Sequence, residues 1–366
     1  MAAMMQVLDL EPAYDGAFPF KPLPAMKAIA VARPLPSSDP LSLVALEQSY
    51  PQLQNAHDIC VQVEAVSVNP VDTKLRRNRP GADHPPRVLG FDAAGVVQEV
   101  ADPRCGLSPG DRVYYAGDVT RPGSNARYQL VDARLVCAMP TTLDFAQAAA
   151  LPLVTLTAWE LLFCRMPYQL DGSRSQGKTL LVIGGAGGVG SMAIQLARHA
   201  GFRVIATASR PASVQWCRSM GAHEVVDHQQ PLAAQLQALG ISEVDAIVNL
   251  ADTSGYWEQM GELIAPQGHV GLVVEPTAPL HIGDPWKAKS VGIHWEFMFT
   301  RSRYATADMD EQRRILCRTA SLIDAGELIV PLGQHLGAIS AANLRQAHAL
   351  LESGRSVGKL VLSGWQ

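Results

Sequence analysis

No two cysteines in this sequence are spaced for a metal or a redox motif. The six, at positions 60, 105, 137, 164, 217 and 317, are scattered, with no C-x-x-C. They read as buried free thiols in a reducing compartment. A dominant charge is lacking too: 30 Lys plus Arg stand against 34 Asp plus Glu, a formal net charge of -4. Such a chain has no electrostatic reason to seek nucleic acid or anionic membrane. An uninterrupted apolar run is also missing. The best stretch, 146–163, is broken by Gln147, Pro152 and Glu160, which argues against a membrane span. Asp9, Glu11 and Asp15 precede the first lysine, Lys21, so neither a signal peptide nor a transit peptide is expected. These absences point to a cytoplasmic protein with a small-molecule partner.

Apolar bulk is plentiful. Hydrophobic residues make up 48% and charged residues 17%, the opposite of a disordered composition. The 366 residues exceed what one core usually serves, so two domains are expected. Residues 1–25, with four prolines and no periodicity, read as an extension. From Met26 short β signals recur at 27–32, 59–64, 93–100 and 112–115, bounded by Gly, Pro or Asp. They predict a β-rich domain to about residue 151. Beyond Pro152 apolar strands at 179–183, 202–206, 224–226, 244–250 and 269–274 are interleaved with helical patterns at 155–164, 192–199 and 214–220. That alternation predicts an α/β fold with a doubly wound parallel sheet over 152–302. From roughly Asp308 two more helical patterns follow, and the chain closes on a strand at 359–362.

The most informative segment is LLVIGGAGGVGSMAIQ, residues 180–195. Gly185, Gly187 and Gly190 form G-x-G-x-x-G between a buried strand and a helix. In such a turn one glycine makes the bend, one admits a pyrophosphate and one packs helix against strand. With Gly188 and Val189 the exposed N–H groups of the helix start hold the diphosphate. About 20 residues on, a carboxylate usually binds the ribose of NAD. The sequence there is IATASR, residues 205–210, without an acid. Ser209 and Arg210 can bond a 2′-phosphate that a carboxylate would repel. The cofactor expected is NADPH.

These residues, with V-N-P-V-D at 68–72, L-G-F-D-A-A-G-V-V at 89–97, P-G-D-R-V at 109–113 and G-K-L-V-L at 358–362, resemble the medium-chain dehydrogenase/reductase superfamily. The stretch I-H-W-E-F-M-F-T-R at 293–301 is similar to its quinone-oxidoreductase-like branch, in a subgroup often labelled zinc-type alcohol dehydrogenase-like. The resemblance covers Met26 to the end. It implies a GroES-like catalytic domain, over 26–151 and 303–366, beside a Rossmann domain over 152–302, an active site between them, and a homodimer joined near 292–299. It also implies that Asn69 faces the nicotinamide and that Thr157 lies beneath it.

The zinc-dependent relatives place Cys, His and a third ligand where this sequence has Asn69, Phe91 and a position near Leu153. An amide, a phenyl ring and an alkyl group do not replace thiolate and imidazole, so no metal site is expected. Without a Lewis acid, oxidation of a plain alcohol is disfavoured. A quinone or an α,β-unsaturated carbonyl is the better hydride acceptor; enoyl-thioester reduction and a nucleotide-binding redox sensor without turnover are the alternatives. Asn69 is the candidate donor to a substrate oxygen, or else a turn residue before Pro70. Asp72 relays a proton, orients a ribose, or caps a helix over 73–77. Asn249 and Leu250 end a strand at the expected ligand crevice. Lys74, Arg76, Arg77 and Arg79 read as a solvated face. Trp295, Phe297 and Phe299 read as core or interface, and Cys164 and Cys217 as structural.

Overall fold

A computed structural model describes residues 25–81 and 84–366. All but the last residue of the expected extension lies outside the described residues.

The strand Thr179–Ile183, sequence TLLVI, is apolar and buried over most of its length, as a strand covered on both faces must be. It sits inside a six-stranded sheet whose order is Glu224–Val226, Arg203–Thr207, Thr179–Ile183, Val244–Asn249, Ile264–Leu272, Gly292–Trp295. All five pairings are parallel. In chain order the strands run 3-2-1-4-5-6, the Rossmann arrangement. The order reverses between Thr179–Ile183 and Val244–Asn249, and a crevice opens there at the carboxyl ends.

The β-rich part is built on Asp58–Val68, which pairs antiparallel with Ala93–Val100, Tyr128–Asp132 and Lys359–Ser363. The last pairing brings the C-terminal strand back to the first part of the chain, with Val68 opposite Leu360. Val44–Ser49, Ala25–Val31 and Arg87–Val88 form a separate small sheet. The apolar stretch Phe145–Arg165 has the length and hydropathy of a membrane span, yet 78% of its most apolar window is buried inside the fold. It folds as two short helices, Phe145–Ala149 and Pro152–Trp159, and a π-helical turn. Pro152 supplies the first position of the second helix, where its missing N–H costs nothing.

The reading of six free thiols is corrected. Cys137, on the strand Cys137–Ala138, is disulfide-bonded to Cys317 on the helix Glu311–Asp324, 180 residues away, with the Cα atoms 5.6 Å apart. The partners meet only because the helix packs on that strand, which spacing along the chain does not reveal. The cysteines therefore carry no argument for a reducing compartment. Cys60, Cys105, Cys164 and Cys217 are free.

Candidate active site and cofactor cleft

A cleft of about 1120 Å³ opens at the sheet's switch point and runs between the Rossmann and β-rich parts. The glycine turn forms its wall. Gly184, rather than a residue of the G-x-G-x-x-G triplet, makes the bend, with φ +87°. Gly190 is the close-packing position: a Cβ there would lie 2.4 Å from Gly184 O. A Cβ on Gly187 would meet only Gly184 O, at 3.6 Å, so the backbone is open to a ligand. The helix Gly188–His199 begins at that point, and its first N–H groups are positioned for phosphate. Gly187, Gly188, Val189 and Gly190 all line the cleft.

At the end of Arg203–Thr207 the cleft is lined by Ser209, Arg210 and His228, with no carboxylate from that loop. Ser209 Oγ lies 3.4 Å from His228 Nε2. This surface and the glycine turn line one continuous cradle with room for a dinucleotide.

At the other end Asn69 lies in a buried polar array. Its Nδ2 donates to Asp92 Oδ2 at 2.7 Å, and its Oδ1 accepts from Lys359 Nζ. Lys359 also donates to Asp92 Oδ2 at 2.9 Å and to Val68 O at 3.2 Å. Asp92 further accepts from Ser67 Oγ and from the Leu153 N–H, both at 2.7 Å. One N–H of the Asn69 amide is thus taken by Asp92, and the other has no acceptor among the described residues. Asn69 and Lys359 both line the cleft.

Asp72 is fully enclosed and does not line the cleft. Its carboxylate accepts from the Asn69 N–H at 2.8 Å and the Gly90 N–H at 3.0 Å. It ties the start of the helix Pro70–Arg77 to the G-F-D loop, and burial pushes its pKa up to about 7. The capping alternative describes this geometry, with the helix beginning at Pro70. Thr157 and Leu250 line the cleft, and Thr157 Oγ1 donates to Leu153 O at 2.8 Å. Gly185 and Asn249 do not. A Cβ on Gly185 would meet that of Ala206 at 2.8 Å, and the Asn249 amide turns back onto its own loop, accepting from the Ala251 N–H at 3.0 Å.

One further expectation is corrected. Arg76 is not solvated: it is wholly buried, 2.5 Å from Glu352 Oε1 and 3.2 Å from His348 Nδ1. Lys74 and Arg77 face solvent and Arg79 is half-buried, while Arg76 anchors this helix to Ala341–Glu352. The three aromatics do not share one environment. Phe299 is buried edge-on against Phe91 at 5.2 Å, whereas Trp295 and Phe297 are exposed. Phe297 and Phe299 line the cleft.

Asp92 and Lys359 are site residues that no local motif marks, although a lysine heading the apolar run KLVLS is a visible signal. Glu296 is a further one, buried and lining the cleft. Glu296 and Glu160 face each other within a ring formed by Arg165, Arg301 and Gln312. Burial, then the charge of Glu160, pushes the Glu296 pKa up to about 8. Burial raises Glu160 as well.

The residues at the family's metal position do not fit zinc. Leu153 and Phe91 offer no side-chain donor atom. Asn69 Oδ1 is committed to Lys359, whose ammonium would repel a cation.

Two family models match the chain: the alcohol dehydrogenase GroES-like domain over residues 55–141 and zinc-binding dehydrogenase over 220–362. A zinc-type alcohol dehydrogenase-like protein of Staphylococcus aureus is 39% identical over 338 residues, covering 92% of this chain and all of the relative. This chain belongs to the medium-chain dehydrogenase/reductase superfamily, in its quinone-oxidoreductase-like branch. It is an oxidoreductase of that type. Tomato 2-methylene-furan-3-one reductase is 30% identical over 315 residues, covering 83% of this chain and 71% of the relative. A Rhizobium etli structure bearing a zinc-dependent alcohol dehydrogenase name is 45% identical, with TM-score 0.87 and coverage of 94% and 99% of the two chains. A mycobacterial protein solved with NADPH is 26% identical, with TM-score 0.77 and coverage of 93% and 100%.

Proposed function

We propose that this chain is a zinc-independent, NADPH-dependent reductase of quinones or α,β-unsaturated carbonyls. The observation that carries the reading is the Asn69 amide. It lines the cleft, is fixed by Lys359 and Asp92, and has one N–H uncommitted among the described residues. Supporting it are the carboxylate-free loop at Ser209–Arg210, the tomato enone reductase and the NADPH-bound mycobacterial neighbour.

NADPH, when bound, supplies the hydride. Gly187, Gly188, Val189 and Gly190 would hold its diphosphate, Ser209 and Arg210 its 2′-phosphate, and Thr157 and Leu250 the nicotinamide end. Asn69 donates to the substrate oxygen as negative charge develops there. A fixed dipole aimed at that charge stabilises the transition state more than the ground state. Lys359 acts through Asn69 by holding its carbonyl oxygen and so setting the orientation of the amide. An activated acceptor takes the hydride with this stabilisation, and water entering the cleft supplies the proton that completes the reduction, whereas a plain alcohol would lack the Lewis acid that stabilises its alkoxide and that this donor set does not fit.

The test is the loss of NADPH near-ultraviolet absorbance with a panel of a quinone, an enone, an enoyl thioester and an aldehyde. Turnover of the first two is expected. Tight NADPH binding with no turnover would favour a sensor, and exclusive use of the thioester would replace the substrate class.

A further inference from the structure

Arg355 stands on the loop between the last helix, Ala341–Glu352, and the last strand, Lys359–Ser363. That loop is fastened to the cofactor turn. The Gly358 N–H donates to Ala186 O at 2.9 Å, and Gly187 and Gly358 form an isolated parallel bridge. Gly358 has φ +62°, and a Cβ on it would lie 2.6 Å from Trp216 and 2.7 Å from Pro331 O. The loop is therefore held against the Rossmann part by backbone contacts.

Arg210 reaches across the cleft and donates from Nη1 to Arg355 O at 2.9 Å. Both arginines line the cleft, beside Ser209, His228 and Ser356. Neither has a carboxylate partner among the described residues. The acids that line the cleft, Asp252, Glu275 and Glu296, follow strands on the other side of the switch point. Two guanidinium-bearing residues brought together without a counter-ion, one from each part of the molecule, make a place for an anion. The guanidinium fork matches phosphate oxygens in pairs.

We propose that Arg355 is the second arginine of a clamp, with Arg210, for the 2′-phosphate of NADPH. The clamp is built across the two parts of the molecule, so the C-terminal loop takes part in choosing the cofactor. This rests on the NADPH reading above.

The test uses the full chain and two probes that differ only in the 2′-phosphate, 2′,5′-ADP and 5′-AMP, with affinities measured by titration calorimetry. Arg355 is exposed, so its replacement does not endanger folding. Arg355→Ala is expected to weaken 2′,5′-ADP by about ten- to hundredfold, the size of one charged hydrogen bond, and to leave 5′-AMP unchanged. Arg210→Ala should act in the same direction, and Arg355→Lys should keep part of the affinity. If the wild type prefers 2′,5′-ADP but Arg355→Ala binds it equally well, or loses both probes alike, the clamp is overturned while the NADPH reading stands. A wild type that does not distinguish the probes overturns both.

Discussion

Lys359 and Asp92 meet 2.9 Å apart in the interior, one from the C-terminal strand and one from the G-F-D loop. Both are buried, and together they fix Asn69 at the position where zinc-dependent relatives have a metal ligand. An ammonium thus stands beside the place of the metal, and it orients a neutral donor instead of ligating one.

Removing the cation should be costly. Lys359→Met leaves Asp92 a buried, unpaired carboxylate, and breaking such a pair costs about 3–5 kcal/mol. The remaining bonds to Asp92 from Ser67 and Leu153 favour the lower end of that range. Adding Asp92→Asn should recover part of the loss in urea unfolding. Equal stability of the single and double variants would show that the pair is not coupled.

Asn69→Ala should lower kcat by roughly 10²–10³, as for the loss of one preorganised donor. KM should rise less, because the interaction strengthens as hydride arrives. NADPH affinity should not change, since the glycine turn is held independently. Single-turnover hydride transfer in stopped flow measures this. An unchanged rate would reduce Asn69 to the residue that precedes Pro70 at the helix start.

Much of the fold was legible, and the exceptions have physical reasons. The strands at 93–100, 112–115, 179–183 and 224–226 have the bounds read from the sequence. Each is a short β-patterned or apolar run between turn residues. The helix Thr253–Leu263 was missed because only Thr253, Trp257, Met260, Gly261 and Leu263 are buried along it, and it carries two glycines, Gly255 and Gly261. The glycine turn was legible because all its parts are local. The Lys359–Asp92 pair spans 267 residues, and the Arg210–Arg355 contact spans 145. Only folding brings these partners together.

Glu296 gives stability a pH dependence whose sign is fixed. Its pKa of about 8 lies above the value near 4.3 for an exposed Glu. Between these values the folded chain retains a proton that the unfolded chain has released, so stability falls as pH rises and levels off above the upper value. Buried His348, held down to about 3 by burial and by Arg76, acts in the opposite sense below about pH 6.5. Between pH 6.5 and 8 Glu296→Gln should flatten the profile by up to about 1.4 kcal/mol per pH unit. Parallel profiles for wild type and variant would contradict the buried-proton assignment.

Gly292–Trp295 is an edge strand of the Rossmann sheet; it ends on exposed Trp295, and exposed Phe297 follows two residues on. An open apolar edge invites pairing, and a two-fold axis closes it. We propose a homodimer through this edge, for which light scattering at micromolar concentration should give twice the chain mass. Ile293→Lys should shift it toward monomer. A wild-type monomer would refute the proposal.

The most direct test of the central claim measures zinc content and reductase activity on the same chelator-treated sample. The account predicts zinc far below one ion per chain, with full NADPH-dependent reduction of a quinone or enone and no gain on adding zinc. Activity that disappears with the metal and returns in proportion to added zinc would contradict it.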